Sequence, residues 1–302
     1  MDARLMDATF SRNQPSDARR LYDDRAIRYD NSWHPRFARH MVELARIHSG
    51  ERVLDLACGT GLVTYPAANA VGPTGSVVAV DISTGMLAQA KAKQADHKHE
   101  NVQLLQHSVT DLQSLLQLQG ETFDVITCVS ALVLLERPYE AVKQWATFLT
   151  RGGRMIVDVT HPESQISLIT FERVGRKLGR PVPFYRVPFQ SPDDARRLLE
   201  DGAGLRNVVV HSVSQMDIEG RDDLQAYLSD IQHPRIEQAF TIGDADRLFD
   251  KHITDWAAQS LANDDIKQKA RAVFREEWVK LADASGQIRE VDEVFVAIGW
   301  KQ

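Results

Sequence analysis

The run at residues 53–61, VLDLACGTG, sets a glycine-rich turn between an apolar stretch and a helical pattern that opens near Leu62. A turn of this kind offers a ligand unpaired backbone N–H groups at the positive end of a helix. Gly59 and Gly61 let that ligand approach the main chain. The dinucleotide fingerprint asks for a third glycine where Thr64 stands, and the phosphate-loop pattern has no match, so the turn alone does not name its ligand. A second acid narrows the choice. The run SVVAV at 76–80 is followed by Asp81, a carboxylate able to accept two hydrogen bonds from a ribose diol. Two polar strand ends in this order point to a cofactor that contains a nucleoside.

Such residues need a scaffold to hold them, and short apolar runs alternating with helical patterns predict one. Strands are expected at residues 52–57, 76–80, 102–106, 123–129 and 154–159. A helix at 139–150 carries Ala141, Val142, Trp145, Phe148 and Leu149 on one stripe, and Gly152-Gly153 turns the chain into the next strand. Residues 162–192 read as irregular, followed by a helix at 193–200 and a strand at 207–213. Residues 221–284 read as helical with three amphipathic stripes, and a last strand is expected at 293–299. The stripes are Leu224, Tyr227, Leu228 and Ile231; then Leu248, Phe249, His252, Ile253 and Trp256; then Ala270, Val273, Phe274, Trp278 and Leu281. The expected fold class is α/β: a doubly wound, mostly parallel seven-stranded sheet with helical cap additions. Residues 1–302 read as a single domain. Its core lies at about 36–160, 191–217 and 290–302, and its cap and lid at about 1–35, 161–190 and 218–289.

Composition sets the outer limits. The 302 residues hold 36 Lys and Arg against 42 Asp and Glu, a net charge of −6, which argues against a non-specific binder of nucleic acid or anionic membrane. Two cysteines, Cys58 and Cys128, exclude a disulfide scaffold or a cysteine zinc cluster. No apolar stretch approaches the ~18 residues of a membrane span, and residues 1–20 lack the apolar centre of a secretory signal, so the cytosol is the expected compartment.

Taken together, VLDLACGTG, VVAVDIS and the segment from FDVITCVSAL to RGGRMIVDV resemble class I S-adenosylmethionine-dependent methyltransferases of the small-molecule, UbiE-like type. The resemblance covers about residues 21–158 and implies a Rossmann-like methyltransferase fold. It implies S-adenosyl-L-methionine as cofactor and S-adenosyl-L-homocysteine as by-product. Asp55, Ala57, Cys58, Gly59, Thr60 and Gly61 are then expected along the methionine part. Asp81 falls on the ribose, Ile82 and Met86 on the adenine, and Ser108 and Val109 at the adenine edge, where the family often has an acid and this chain offers Asp111 three residues on. Cys128, Val129 and Ser130 close the fourth strand beside the methionine, with Ser130 also facing the acceptor. YDDRAIRYD resembles the family's Y-D-x-x-A-x-x-Y-D signature, which makes Tyr22 and Tyr29 lid residues.

Methyl transfer from a sulfonium is an in-line displacement that asks mainly for positioning. A base is needed only where the acceptor holds its proton at neutral pH. His161, before Pro162 at the end of the fifth strand, and His34, between Trp33 and Pro35, are the candidate bases; a turn histidine and helix-entry packing are their bland readings. Tyr185 reads as acceptor lining or as a plain loop aromatic. Glu136 reads as an amine contact or a helix start, Cys58 as a buried filler, and Lys91, Lys93 and Lys98 as a solvated face. No metal is expected, since the fourth strand ends in Cys128-Val129-Ser130 rather than in a carboxylate. The expected acceptor is a small hydrophobic or aromatic metabolite and the expected assembly a monomer or homodimer. Two alternatives share the fold: a regulatory protein that binds the cofactor without transfer, and an enzyme of rearrangement or cyclisation.

Overall fold

Val53 packs on one side of the sheet and Leu54 and Leu56 on the other, and this period-two alternation sets the layers. The structure, a computed structural model, describes residues 14–97, 99–180, 182, 186 and 188–302. Helices α1 (Gln14–Arg25) and α2 (His34–Ala45) precede β1 (Arg52–Leu56). Then α3 (Thr64–Val71), β2 (Ser76–Asp81), α4 (Thr84–His97), β3 (Val102–Gln106), β4 (Phe123–Cys128), α5 (Pro138–Trp145) and β5 (Leu149–Thr160) alternate. After α6 (Ile166–Leu178) and α7 (Pro192–Arg197) comes β6 (Arg206–Ser214). The one-turn α8 (Leu224–Tyr227), β7 (Leu228–Ser229), β8 (Ile236–Thr241), α9 (Ala245–His252), α10 (Asp264–Val279), β9 (Gln287–Val291) and β10 (Glu293–Trp300) complete the chain.

Among the described residues the central sheet has the order β3-β2-β1-β4-β5-β10-β6-β7. Strands β1 to β5 pair in parallel, whereas β10 runs antiparallel between β5 and β6. The order reverses between β1 and β4, and at such a switch point the carboxyl ends of the strands open a crevice. One face buries Leu54, Phe123, Ile126, Trp145 and Leu198; the other buries Val53, Val125 and Ile156 under Phe37 and Met41 of α2.

Several expectations are corrected. The sheet has eight strands, not seven, because Leu228–Ser229 adds a two-residue edge on β6. The first of the three helical stripes is therefore one turn of helix followed by a strand, and its Leu228 spends its backbone on Val213. Residues 162–192 are not irregular throughout, for α6 occupies Ile166–Leu178 and buries Ile169, Phe171 and Val174. Gly152 and Gly153 lie inside β5, where Gly152 takes φ +83° as the pairing with β4 shifts register. Residues 221–284 also hold β8, which pairs with β9 as a separate two-stranded sheet.

The second and third stripes pack as expected. Leu248, Phe249 and Ile253 meet Ala270, Phe274 and Trp278 and the Phe171 ring of α6, forming a third apolar cluster. We call α6, β8, α9, α10 and β9 the cap. The side chain of Trp256 lies outside the described residues.

Candidate active site

Adjacent strands β1 and β4 both end in a non-glycine residue with a left-handed backbone, Ala57 at φ +54° and Ser130 at φ +56°. Each such residue costs on the order of 1–3 kcal/mol and persists only where its surroundings over-determine it. Here the Cys58 amide donates to Val80 O at 3.1 Å, and the Ser130 amide donates to Asp158 Oδ1 at 2.6 Å. Gly59 and Gly61 continue the turn at φ +56° and +86°. A Cβ on Gly59 would meet only the Met86 sulfur, at 4.0 Å, so the main chain there lies open to a ligand. A Cβ on Gly61 would lie 2.3 Å from a carbon of the Tyr65 ring, so this glycine serves the close packing of α3.

The Asp81 carboxylate, at the end of β2, ties the turn after β1 to the turn after β2. Its Oδ2 accepts from the Gly59 amide at 2.8 Å and its Oδ1 from the Ser83 amide at 2.8 Å. Burial pushes this carboxyl up, and the amide hydrogen bonds oppose the rise. Asp81 lines a cavity of about 330 Å³ together with Tyr22, Tyr29, Ala57, Gly59, Ile82, Met86, Ser108, Val109, Thr110, Val129 and Ser130. The far wall is Ala131, Leu134, Leu135, Glu136, Arg137, Glu140 and Gln144. A smaller chamber of about 30 Å³ adjoins it, between Tyr29, His34, Asp55, Ala57, Cys58, Gly59, Val63, Val129 and Ser130.

Residues 47–174 match the family described as "Methyltransferase domain". The chain is 31% identical over 141 residues to a demethylmenaquinone methyltransferase of Lactococcus lactis, covering 46% of this chain and 53% of that protein. It is 31% identical over 117 residues to the aklanonic acid methyltransferase DauC of a Streptomyces, covering 39% and 51%. The chain thus spans about half the length of the curated relatives it matches. Its fold is similar to that of a cyclopropane-fatty-acyl-phospholipid synthase-like protein from Lactobacillus casei, with TM-score 0.52 and 14% identity, over 99% of this chain and 100% of that one. Residues 47–174 are thus similar to a methyltransferase domain.

The matched region brings most of the residues expected along a cofactor to one place, and the N-terminal segment packs over them. Asp23 Oδ1 accepts from Ser83 Oγ at 2.6 Å and from the Gly85 amide at 2.7 Å. Asp30 accepts from Thr60 Oγ1 at 2.5 Å and pairs with Lys93 at 2.5 Å. The lid is thus tied to both loops of the site, with Tyr22 and Tyr29 between the ties and Arg25 over both rings at 5.4 and 5.8 Å. Lys93 is corrected from a solvated residue to a tether, since it also donates to Thr60 O at 2.9 Å; Lys98 lies outside the described residues.

Other residues take quieter places. Asp55 is filled by two hydroxyls, Thr127 Oγ1 on Oδ1 at 2.7 Å and Thr64 Oγ1 on Oδ2 at 2.6 Å, and burial raises it to about 6. It holds the strand end together rather than opening toward the larger cavity. Cys58 is buried with its thiol pushed up by burial, which fits a filler and not a nucleophile. Cys128 is wholly buried in the layer with Leu54 and Ile126. Thr60 turns its hydroxyl to Asp30.

The two candidate bases part company. His34 reaches the smaller chamber, stacked on Trp33 with centroids 3.8 Å apart, its Nδ1 2.7 Å from Ser32 Oγ. Burial lowers it to about 3, so it stays neutral. His161 lies outside the lining of both chambers: it is buried against Phe295, and Nδ1 accepts from the Glu163 amide at 3.0 Å. Its first ring nitrogen thereby serves the turn after β5. Tyr185 lies outside the described residues. Glu136 lines the larger cavity.

Sequence reasoning missed Asp158. It is 5% exposed on β5, and burial raises its carboxyl to about 7. The signal was present as an acid inside the apolar run RMIVDV. The Ser130 hydroxyl is buried without a hydrogen-bond partner, the mark of a group that waits for a ligand.

Proposed function

We propose that this chain transfers the methyl group of S-adenosylmethionine to a small hydrophobic or aromatic acceptor by in-line displacement. The observation that carries the reading is the Asp81 carboxylate, fastened to the Gly59 and Ser83 amides on the cavity wall with lone pairs left for a ribose diol. The cradle fits the group: main chain open at Gly59, an acid at the end of β2, apolar Ile82 and Met86 beside it, and a second small chamber for an amino-acid end. When bound, the cofactor supplies an activated methyl on a sulfonium.

The chain's own residues then have three tasks. Asp81 fixes the ribose, and Ser108, Val109 and Thr110 border the base. Tyr22 and Tyr29, held by the Asp23 and Asp30 ties, exclude water above the site. Leu134, Leu135 and Val129 supply an apolar wall, which suits an acceptor of the same character. Positioning of this kind supplies most of the rate, and no general base is required for an acceptor that is already deprotonated. Two relatives are named for small molecules, demethylmenaquinone and aklanonic acid, which supports an acceptor of that class. On this reading the N-terminal segment and the cap enclose the acceptor, and the whole chain works as one unit.

The test is titration calorimetry with S-adenosylhomocysteine, followed by a screen with methyl-labelled cofactor for metabolites heavier by one CH2. Binding with a labelled product supports the proposal. No heat with either ligand ends it, and a product of unchanged mass replaces transfer by rearrangement.

A further inference from the structure

Methyl transfer turns a cationic sulfonium into a neutral thioether, so a site that senses charge can tell its loaded cofactor from its by-product. The two chambers share Tyr29, Ala57, Gly59, Val129 and Ser130. A ligand with its nucleoside in the larger chamber and its amino-acid end in the smaller one places its sulfur at these shared residues. None of the five is an acid. Behind them stands Asp158, its Oδ1 2.6 Å from the Ser130 amide. Beside its own backbone, that amide is the one hydrogen-bond donor the structure gives Asp158 among the described residues. Among the other acids, Asp55 accepts from the Thr64 and Thr127 hydroxyls, Asp81 accepts from the Gly59 and Ser83 amides, and Glu136 and Glu140 lie on the wall of the larger chamber rather than at the shared residues.

We propose that Asp158 is the residue that reads the charge of the bound cofactor, releasing its proton to solvent when the sulfonium is present and retaining it beside the thioether. No bond to the ligand forms or breaks: one carboxyl becomes a carboxylate and one proton leaves for water. The inference rests on the methyltransferase reading above. It stands on position, since Asp158 holds the Ser130 amide in the left-handed turn that forms the chamber wall. Burial supports it, because a carboxyl raised to about 7 is poised to ionise near neutral pH. An opposite charge within ~4–6 Å favours the ionised carboxyl by about ten- to a thousandfold.

Neighbouring charges leave this role to Asp158. The Tyr29 hydroxyl from the lid and the Cys128 thiol from β4 feel its charge, and burial keeps both protonated. On α2, which packs against β5, Arg36 and Arg39 are engaged by Asp222, His40 is stacked on Tyr227 and paired with Glu43 at 3.9 Å, and His34 is neutral. On β10, Glu293 accepts from the Ser212 hydroxyl and the Arg235 amide, and on β6 burial lowers His211.

The experiment is calorimetry on the full chain with S-adenosylmethionine and S-adenosylhomocysteine, each in two buffers of different ionisation heat at pH 7. The expected result is about half a proton more released by the sulfonium than by the thioether. The affinity ratio of the two should rise roughly tenfold in favour of the sulfonium between pH 6 and 8. Asp158→Asn should remove both effects. Equal proton counts in the wild-type protein overturn the inference, as does a difference that survives in Asp158→Asn. Should that variant fail to fold, the wild-type ratio decides: a rise supports the inference and a flat profile overturns it. If both ligands bind without the difference, the methyltransferase reading stands and the inference falls; if neither binds, both fall.

Discussion

The strand ends of the methyltransferase domain and the cap are built on different principles. At the strand ends, carboxylates hold main-chain amides: Asp81 on Gly59 and Ser83, Asp158 on Ser130, Asp23 on Gly85. In the cap, rings hold rings, with Phe171, Phe249, Phe274 and Trp278 spaced 4.7–5.9 Å between centroids. Buried acids also accept backbone amides here: within the cap Glu290 of β9 accepts from Ile166 of α6 at 2.8 Å, and at its border Glu293 of β10 accepts from Arg235, next to β8, at 2.6 Å. Amide geometry tolerates few side chains at each position, whereas ring packing accepts any set of similar volume and shape.

The largest test of this contrast is Trp278→Ala. Trp278 is fully buried and donates Nε1–H to Thr241 O at 3.0 Å, so its loss should destabilise the cap by about 3–5 kcal/mol in denaturant unfolding. Affinity for S-adenosylhomocysteine should stay within about threefold; a parallel collapse of binding would show that the two regions are not separable. Gly61→Ala forces a Cβ into the Tyr65 ring at φ +86°, and about 2 kcal/mol of stability should go with a loss of cofactor binding. Asp81→Ala should weaken the cofactor at least tenfold, about 1.4 kcal/mol, without unfolding the chain; wild-type affinity would remove Asp81 from the site. Asp30→Asn should speed cofactor release only about two- to threefold, because the half-exposed Lys93 pair is worth less than ~1 kcal/mol, and high salt should erase the difference.

A separate effect concerns pH. Asp158 at about 7 and Asp55 at about 6 are raised in the fold, so the folded state binds more protons than the unfolded one between about pH 4 and 7. Their share of stability therefore grows as pH falls through that window and is lost as it rises. Thermal unfolding of the empty protein should show it, and Asp158→Asn should flatten the upper part; an unchanged profile in the variant would contradict the assignment.

Much of the half that carries the glycine turn was legible because its rules are local. Glycines with left-handed φ, an acid after an apolar run and a period-two strand pattern are written in a few consecutive residues. The cap was harder. Stripes at 248–256 and 270–281 were readable from helical spacing, yet α6 was hidden among prolines and polar residues. The edge strand Leu228–Ser229 exists only because β6 offers it a partner, which no spacing reveals. His161 looked well placed from its position after β5, but the turn claimed its ring nitrogen.

By itself, then, the order of residues determined about where β1, β2 and β4 end and that a glycine turn follows β1, because those properties depend on neighbours along the chain. Only tertiary structure decided that Asp158 is buried beside Ser130, 28 residues away, and that Lys93 crosses to Asp30. The reason is desolvation: an acid or a lysine acquires its ionisation and its partner from whatever the fold packs around it, and that environment is assembled from distant segments.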